Sequence, residues 1–230
     1  MIVGNGMLAN RFSNYRYNKD KIIFASGVSN SGNLKEESFQ RELKLLNETI
    51  DTNPGKQIVY FSTCSIYDDD LKSSPYVLHK ISAETLIKRK AEKFLIFRIS
   101  NIAGISNNPY TLLNYFIFNI LQHHPFTIWE NAYRNIIGID DVYKIANDIL
   151  QNNIYTNDIV NIANPFNYSV SFIVKTIEEH LNKKAAYTEI SRGVNYHIDI
   201  SAIKPVIERC NIQFPQNYLS LLLKKYYHSK

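Results

Sequence analysis

The sequence predicts an α/β chain: a Rossmann-like, mostly parallel sheet with helices on both faces and a small C-terminal substrate lobe. Three observations predict it. KIIFASGV (21–28), QIVYFST (57–63) and FLIFRIS (94–100) are continuous apolar runs, as expected of strands buried on both faces. Stretches with apolar residues at helical spacing separate them. A glycine-rich turn, Gly4-Asn5-Gly6-Met7-Leu8-Ala9, stands between the first strand and the first helix.

In chain order, residues 2–4 form a minimal strand. Residues 7–17 form a helix with Leu8, Phe12 and Tyr15 on one face. The strand at 21–28 leads to a helix over 36–50, where Phe39, Leu43, Leu46 and Ile50 recur at helical spacing. Asn53-Pro54-Gly55 ends it. The strand at 57–63, a helix over 76–90 and the strand at 94–100 complete the regular part. Beyond Gly104 the alternation loosens. Helices are expected over 111–121, 140–150 and 169–181, the second capped by Asp140-Asp141 and the third by Ser169 or Ser171. Short strands are expected at 127–129, 158–164 and 186–190, and two short helices close the chain. This divides the chain into a core of 1–104 and 135–165 and a smaller lobe of 105–134 and 166–230.

Three pieces carry chemistry. Gly4-Asn5-Gly6-Met7-Leu8-Ala9 fits G-x-G-x-x-A: glycines let backbone N–H groups approach a pyrophosphate, and the small Ala9 lets helix pack on strand. The plainer reading is a tight turn. Tyr76 and Lys80 stack one turn apart on a helix, where a cation favours the phenolate. The plainer reading, a half-buried Tyr beside a surface Lys, would win if the pair stood alone. Thr63, in STCSIY (62–67), ends a predicted central strand, at the sheet edge where open α/β sheets bind ligands. The three in this order are far rarer by chance than any one.

With these residues in place the chain resembles the extended short-chain dehydrogenases/reductases of the NAD-dependent epimerase/dehydratase family, which act on sugar nucleotides. QIVYFSTCSIYD (57–68) resembles the strand with the family's catalytic Ser/Thr, here Thr63. SPYVLHKISAE (74–84) resembles the catalytic helix, FRISNIAG (97–104) the strand whose Asn contacts substrate, here Asn101, and RNIIGIDDV (134–142) the segment whose Arg binds the substrate diphosphate, here Arg134. The resemblance implies Tyr76 as acid/base, Lys80 as the residue that lowers its pKa and binds the nicotinamide ribose, and Thr63 as the group orienting the sugar oxygen. It implies NAD or NADP as cofactor, lined by Ala25, Ser26 and Gly27 as well as the glycine loop. It implies a nucleotide-sugar substrate in surface-polysaccharide precursor synthesis, and a homodimer through the helices at 36–50 and 76–90.

The chain departs from that family in two places. KIIFASGVSNSG (21–32) follows the first helix at once and resembles the family's fourth strand, so strands two and three are expected to be absent. The acidic residue that binds the adenosine ribose about 20 positions after the loop is absent too: Ala25-Ser26-Gly27 stands there. The adenosine half-site is therefore reduced. Cys64-Ser65 replaces the acidic residues that follow the Thr in the family's dehydratases, which disfavours dehydration. The expected enzyme is a 4-keto reductase or an epimerase. A sugar-nucleotide isomerase or mutase with weak or no dinucleotide binding stays open, as does a non-catalytic ligand-binding relative.

Composition bounds the rest. At 45% hydrophobic and 20% charged the chain is globular. Its net charge of +5 is scattered, apart from Lys88-Arg89-Lys90 and a tail from Lys224 to His228, so no nucleic-acid stripe is expected. No apolar run is long enough to span a bilayer, no signal peptide is read, and two cysteines make no framework, so a cytoplasmic protein is expected. Asp68-Asp69-Asp70 reads as a solvated loop, His79 as structural, Cys64 as inert, and His123-His124 as a helix end. No metal site is expected.

Overall fold

The computed structural model describes residues 1–30, 32 and 35–227. Ser31 and His228, which fall in stretches singled out above, lie outside them. Five parallel strands form the main sheet in the order β1-β2-β3-β4-β8: β1 (Ile2–Val3), β2 (Lys21–Phe24), β3 (Gln57–Thr63), β4 (Lys93–Ile99) and β8 (Asp158–Ile162). Ile2 pairs with Ile23, Ile22 with Ile58, Ile58 with Phe94 and Leu95 with Asp158. All seven residues of β3 are buried, which is why its sequence does not alternate.

Alternate residues of these strands feed two cores. Ile22, Phe24, Ile58, Tyr60, Phe94 and Ile96 meet α2 (Glu36–Asp51) and α3 (Pro75–Lys90). Ile23, Val59, Phe61, Leu95 and Phe97 meet Phe12, Tyr15 and α5 (Ile139–Asn152) on the other face. The first helix, α1 (Met7–Arg11), is shorter than the expected 7–17 and breaks into a 3-10 turn at Ser13–Tyr15. Ser13 and Asn14 favour turns over helix interiors, and Asn18 Oδ1 accepts from the N–H groups of Asp20 and Lys21, which ends the segment.

The second and third family strands are missing as expected: among the described residues no strand lies beyond β1, which is the sheet's edge. The crossovers from β1 to β2 and from β2 to β3 step the same way across the sheet, yet α1 and α2 lie on opposite faces. They are therefore of opposite hand, in a class of connection that is right-handed in about 98% of cases. Removing two strand–helix units between α1 and β2 has this effect. The helix keeps the face it needed for a neighbour on one side of β1, but the chain now continues on the other side.

The rest packs in a third cluster. It holds α4 (Leu112–Leu121), α6 (Val170–Leu181) and α8 (Tyr218–Tyr226), a β5-β7-β9 sheet of Asn101–Ala103, Tyr133–Gly138 and Asn167–Ser169, and a parallel pair of β6 (Phe126–Trp129) with β10 (Tyr187–Ile190). A short α7 (Lys204–Arg209) returns to the main sheet through Val206. The strands at β5, β7 and β9 were not expected from the sequence. Among the described residues no helix is long and apolar enough to cross a membrane.

Asp140-Asp141 do not cap α5, as expected from sequence. Gly138 is the N-cap, and both carboxylates sit in the first turn. They instead tie elements together. Asp140 accepts from Arg11 Nε at 2.7 Å and Tyr226 OH at 2.8 Å and pairs with Lys225 at 2.7 Å, and Asp141 accepts from Tyr218 OH at 2.5 Å. Burial alone would raise Asp140, but the bonds from Lys225, Tyr226 and Arg11 hold it at about 2. Asp140→Asn is expected to cost about 1–2 kcal/mol at neutral pH. A group held low contributes above its unfolded value, so the gap should close as pH falls from about 4 to about 2, read by urea denaturation.

Candidate active site

Three loops at the C-terminal ends of β1, β2 and β3 converge with α2 and α3. Gly4 has φ +120°, and a Cβ there would stand 2.5 Å from Ala25 O and 2.9 Å from Ser26 N. Ala25 and Ser26 are thus packed against the glycine turn, and only glycine fits. Gly4→Ala is expected to cost about 3 kcal/mol or more, read in a thermal melt. Gly6 is different: no heavy atom lies within 4 Å of where its Cβ would be, and its φ of −78° suits any residue. Asn5 is exposed beside it, Met7 and Leu8 are half-buried and Ala9 is buried.

Thr63 ends β3 and caps a 3-10 turn at Cys64–Tyr67, its Oγ1 accepting from Ser65 N–H at 3.0 Å. Ser74 caps α3, accepting from Val77 N–H at 3.3 Å, and Pro75 sits at the first position. That start places Tyr76 in the first turn, near enough to Thr63 for the Thr63 hydroxyl to favour the phenolate. Lys80, one turn on, has its Nζ 5.9 Å from the Tyr76 ring centroid. The trio drawn from the sequence is therefore assembled.

The trio also has a buried neighbour that the sequence reading missed. Glu42 of α2 accepts from Tyr60 OH at 2.6 Å, His79 Nε2 at 2.8 Å, Lys80 Nζ at 3.0 Å and Val28 N–H at 2.6 Å. Lys80 donates to Tyr60 OH as well, at 3.0 Å. A Cβ on Gly27 would stand 2.6 Å from Lys80 Nζ, so this loop closes directly on the ion pair. Burial alone would raise Glu42, but the Lys80 charge and the hydrogen bonds hold it at about 2. Tyr76 is raised, by burial first and by Glu42, while Lys80 and Thr63 pull it down. His79 is buried and stacked on Phe39 at 4.6 Å, in keeping with a structural role. Cys64 is buried, donates to Arg98 O and is raised by burial, as an inert thiol should be.

Arg134 and Asn101 form a second group. Arg134 Nη1 donates to Asp68 Oδ2 at 2.9 Å, and Asn101 Nδ2 to Asn135 O at 2.9 Å. Asp68 is 1% exposed, which corrects the solvated reading at that residue, the buried counter-ion of Arg134; Asp69 and Asp70 are exposed. Beside it lies a cleft of about 450 Å³ lined by Asn135, Asn164, Phe166, Asn167 and Tyr196. Burial pushes the Tyr196 phenol up to about 12, against the pull of Arg134. Among the described residues no group of three or more His, Cys, Asp or Glu is placed to hold a metal.

Comparison with known proteins bears on the fold and on the family. The chain has the fold of UDP-glucuronic acid 4-epimerase from Bacillus cereus in complex with UDP-glucuronic acid and NAD, with TM-score 0.68, 20% identity, 90% of this chain covered and 74% of that one. It is similar also to UDP-N-acetylglucosamine 4-epimerase from Methanobrevibacter ruminantium M1 in complex with UDP-N-acetylmuramic acid (0.65, 18%, 88% and 74%). RMD from Pseudomonas aeruginosa complexed with NADPH gives 0.65, 13%, 89% and 79%. No curated protein matches the chain in sequence. The model of the NAD dependent epimerase/dehydratase family matches residues 21–163, from β2 to the end of the main sheet, leaving the glycine turn outside. With more than half of its length matched, the chain belongs to the NAD-dependent epimerase/dehydratase family.

Proposed function

We propose that the chain is an NAD(P)-dependent oxidoreductase or epimerase acting on a nucleotide-activated keto sugar, with Tyr76 as its acid/base. The placement of Tyr76 in the first turn of α3, with Lys80 one turn on and Thr63 at the end of β3, carries the reading. Thr63 accepts from Ser65 N–H, so its own proton is available either to the Tyr76 phenol or to a substrate oxygen. Thr63 and Tyr76 can therefore address one substrate oxygen, Thr63 orienting it and Tyr76 exchanging the proton. Arg134, held by Asp68, is the group for the substrate diphosphate, and Asn101 flanks it.

The site fits part of a dinucleotide. The open backbone at Gly6 suits a phosphate, and the Thr63, Tyr76 and Lys80 set suits the nicotinamide end. When bound, the cofactor supplies hydride exchange with the sugar carbon. The chain offers no acidic residue for the adenosine ribose, and β1 is the sheet edge. Purified protein with NADH or NADPH and a 4-keto sugar nucleotide is expected to consume the reduced cofactor. No consumption with either would count against the reductase form of the reading; an epimerase returns its hydride and is read by interconversion of nucleotide-sugar epimers. Gly6→Ala should weaken dinucleotide binding with under about 1 kcal/mol lost in stability.

The edge position of β1 favours a second reading, a sugar-nucleotide isomerase or mutase that needs no exchangeable dinucleotide. Calorimetry separates them: in that case the nucleotide sugar binds, NAD(P) does not, and isomerised product is seen by NMR.

A further inference from the structure

Glu42 is a buried charged group that the proposed chemistry leaves unused. Its side chain is fully buried and takes four donors, from β3, α3 and the loop after β2. Lys80 Nζ makes both of its hydrogen bonds, to Glu42 and Tyr60 at 3.0 Å each, away from the Tyr76 ring at 5.9 Å. We infer that Glu42 is a positioning residue that clamps the Lys80 ammonium against Tyr60 and offsets its charge, so that Tyr76 holds its proton at neutral pH and stands loaded as a donor to a sugar carbonyl oxygen. The inference rests on the reading of Tyr76 as the proton carrier.

The groups that face Tyr76 are few. Lys80 lies on its own helix, Glu42 comes from α2, and Tyr60 and Thr63 come from β3. Lys80 is the one cation in this set, and it is bonded to the one carboxylate. An unpaired ammonium at that distance would favour the phenolate; one matched by a carboxylate 3.0 Å away presents little net charge to the phenol. His79, through Nε2, and Val28 N–H fix the second carboxylate oxygen, so the carboxylate cannot turn away from the lysine.

The test is a titration of the Tyr76 phenol with tyrosine carrying ¹³C at Cζ, its resonance assigned by its loss in Tyr76→Phe. In the wild-type chain the resonance is expected to stay at its neutral-phenol position from about pH 6 to about pH 9. In Glu42→Gln the transition should begin at least about one pH unit earlier than in wild type. A wild-type inflection inside that window, or an onset unmoved in Glu42→Gln, overturns the role of Glu42. If Glu42→Gln does not fold, the wild-type titration decides alone. Neither readout uses substrate. An unshifted wild-type phenol with no turnover of keto sugar therefore overturns the functional reading and not the clamp.

Discussion

Tyr76→Phe is expected to lower turnover of a keto sugar nucleotide by about 10²- to 10⁴-fold while leaving its binding nearly unchanged. The variant keeps the ring in the first turn of α3 and keeps the Lys80 ammonium near it. It removes only the phenol hydroxyl, so the loss should fall on kcat rather than KM. Burial and Glu42 raise the phenol above its ordinary value. A proton donor of that kind stays loaded at neutral pH, so the reductive rate should hold level through about pH 9 and fall only as the phenol titrates. An unchanged kcat in Tyr76→Phe would remove Tyr76 from the mechanism.

Glu42→Ala is expected to destabilise the fold by about 3–5 kcal/mol at neutral pH, because it leaves the Lys80 charge buried without a partner. Tyr60 and His79 lose their acceptor as well. In a chain of 230 residues that corresponds to roughly 6–20 °C in Tm. The wild-type protein should show the same pair through acid. Glu42 is held at about 2 from an ordinary 4.5, which is about 3 kcal/mol of stability by linkage. That contribution is complete above the unfolded value and disappears as pH falls towards 2. Denaturant midpoints level between about pH 5 and about pH 2 would contradict it.

Much of the sheet was legible because its strands are buried on both faces and read as unbroken apolar runs. Residues 57–63 were expected as a strand and form one, and the helices over 36–50 and 76–90 each differ by one residue at one end. The absence of two family strands was legible for the same reason, since nothing apolar separates the first helix from KIIF. The lobe was harder. Strands β5 and β9 are three residues each, too short to show a period, and β7 runs straight into α5 with no turn residue between Gly138 and Ile139.

The site was legible as far as local motifs reach. Thr63, Tyr76 and Lys80 are close in sequence and come together in space. Glu42 was not recognised, although the signal was present: it lies between Phe39 and Leu46, three and four residues away, on the buried stripe of α2. A carboxylate in an apolar stripe calls for donors from elsewhere, and here they come from residues 28, 60, 79 and 80. Such long-range pairing has no local period. Asp68 escaped likewise, because its partner Arg134 lies 66 residues on.

The two-residue β1 gives the glycine turn a particular thermodynamic position. The turn hangs from a strand with one neighbour, joined by few bonds such as Ile23 N–H to Met1 O and Ala25 N–H to Val3 O. Segments of this kind open at a free energy well below that of global unfolding. Amide exchange in residues 1–12 should therefore run ahead of exchange in β3 and β4. Any ligand that closes on the turn slows that opening by mass action, in proportion to its concentration over its Kd. Deuterium uptake at the edge of the sheet thus becomes a binding assay that needs no turnover, and it reports on a dinucleotide whether or not the right sugar is in the tube.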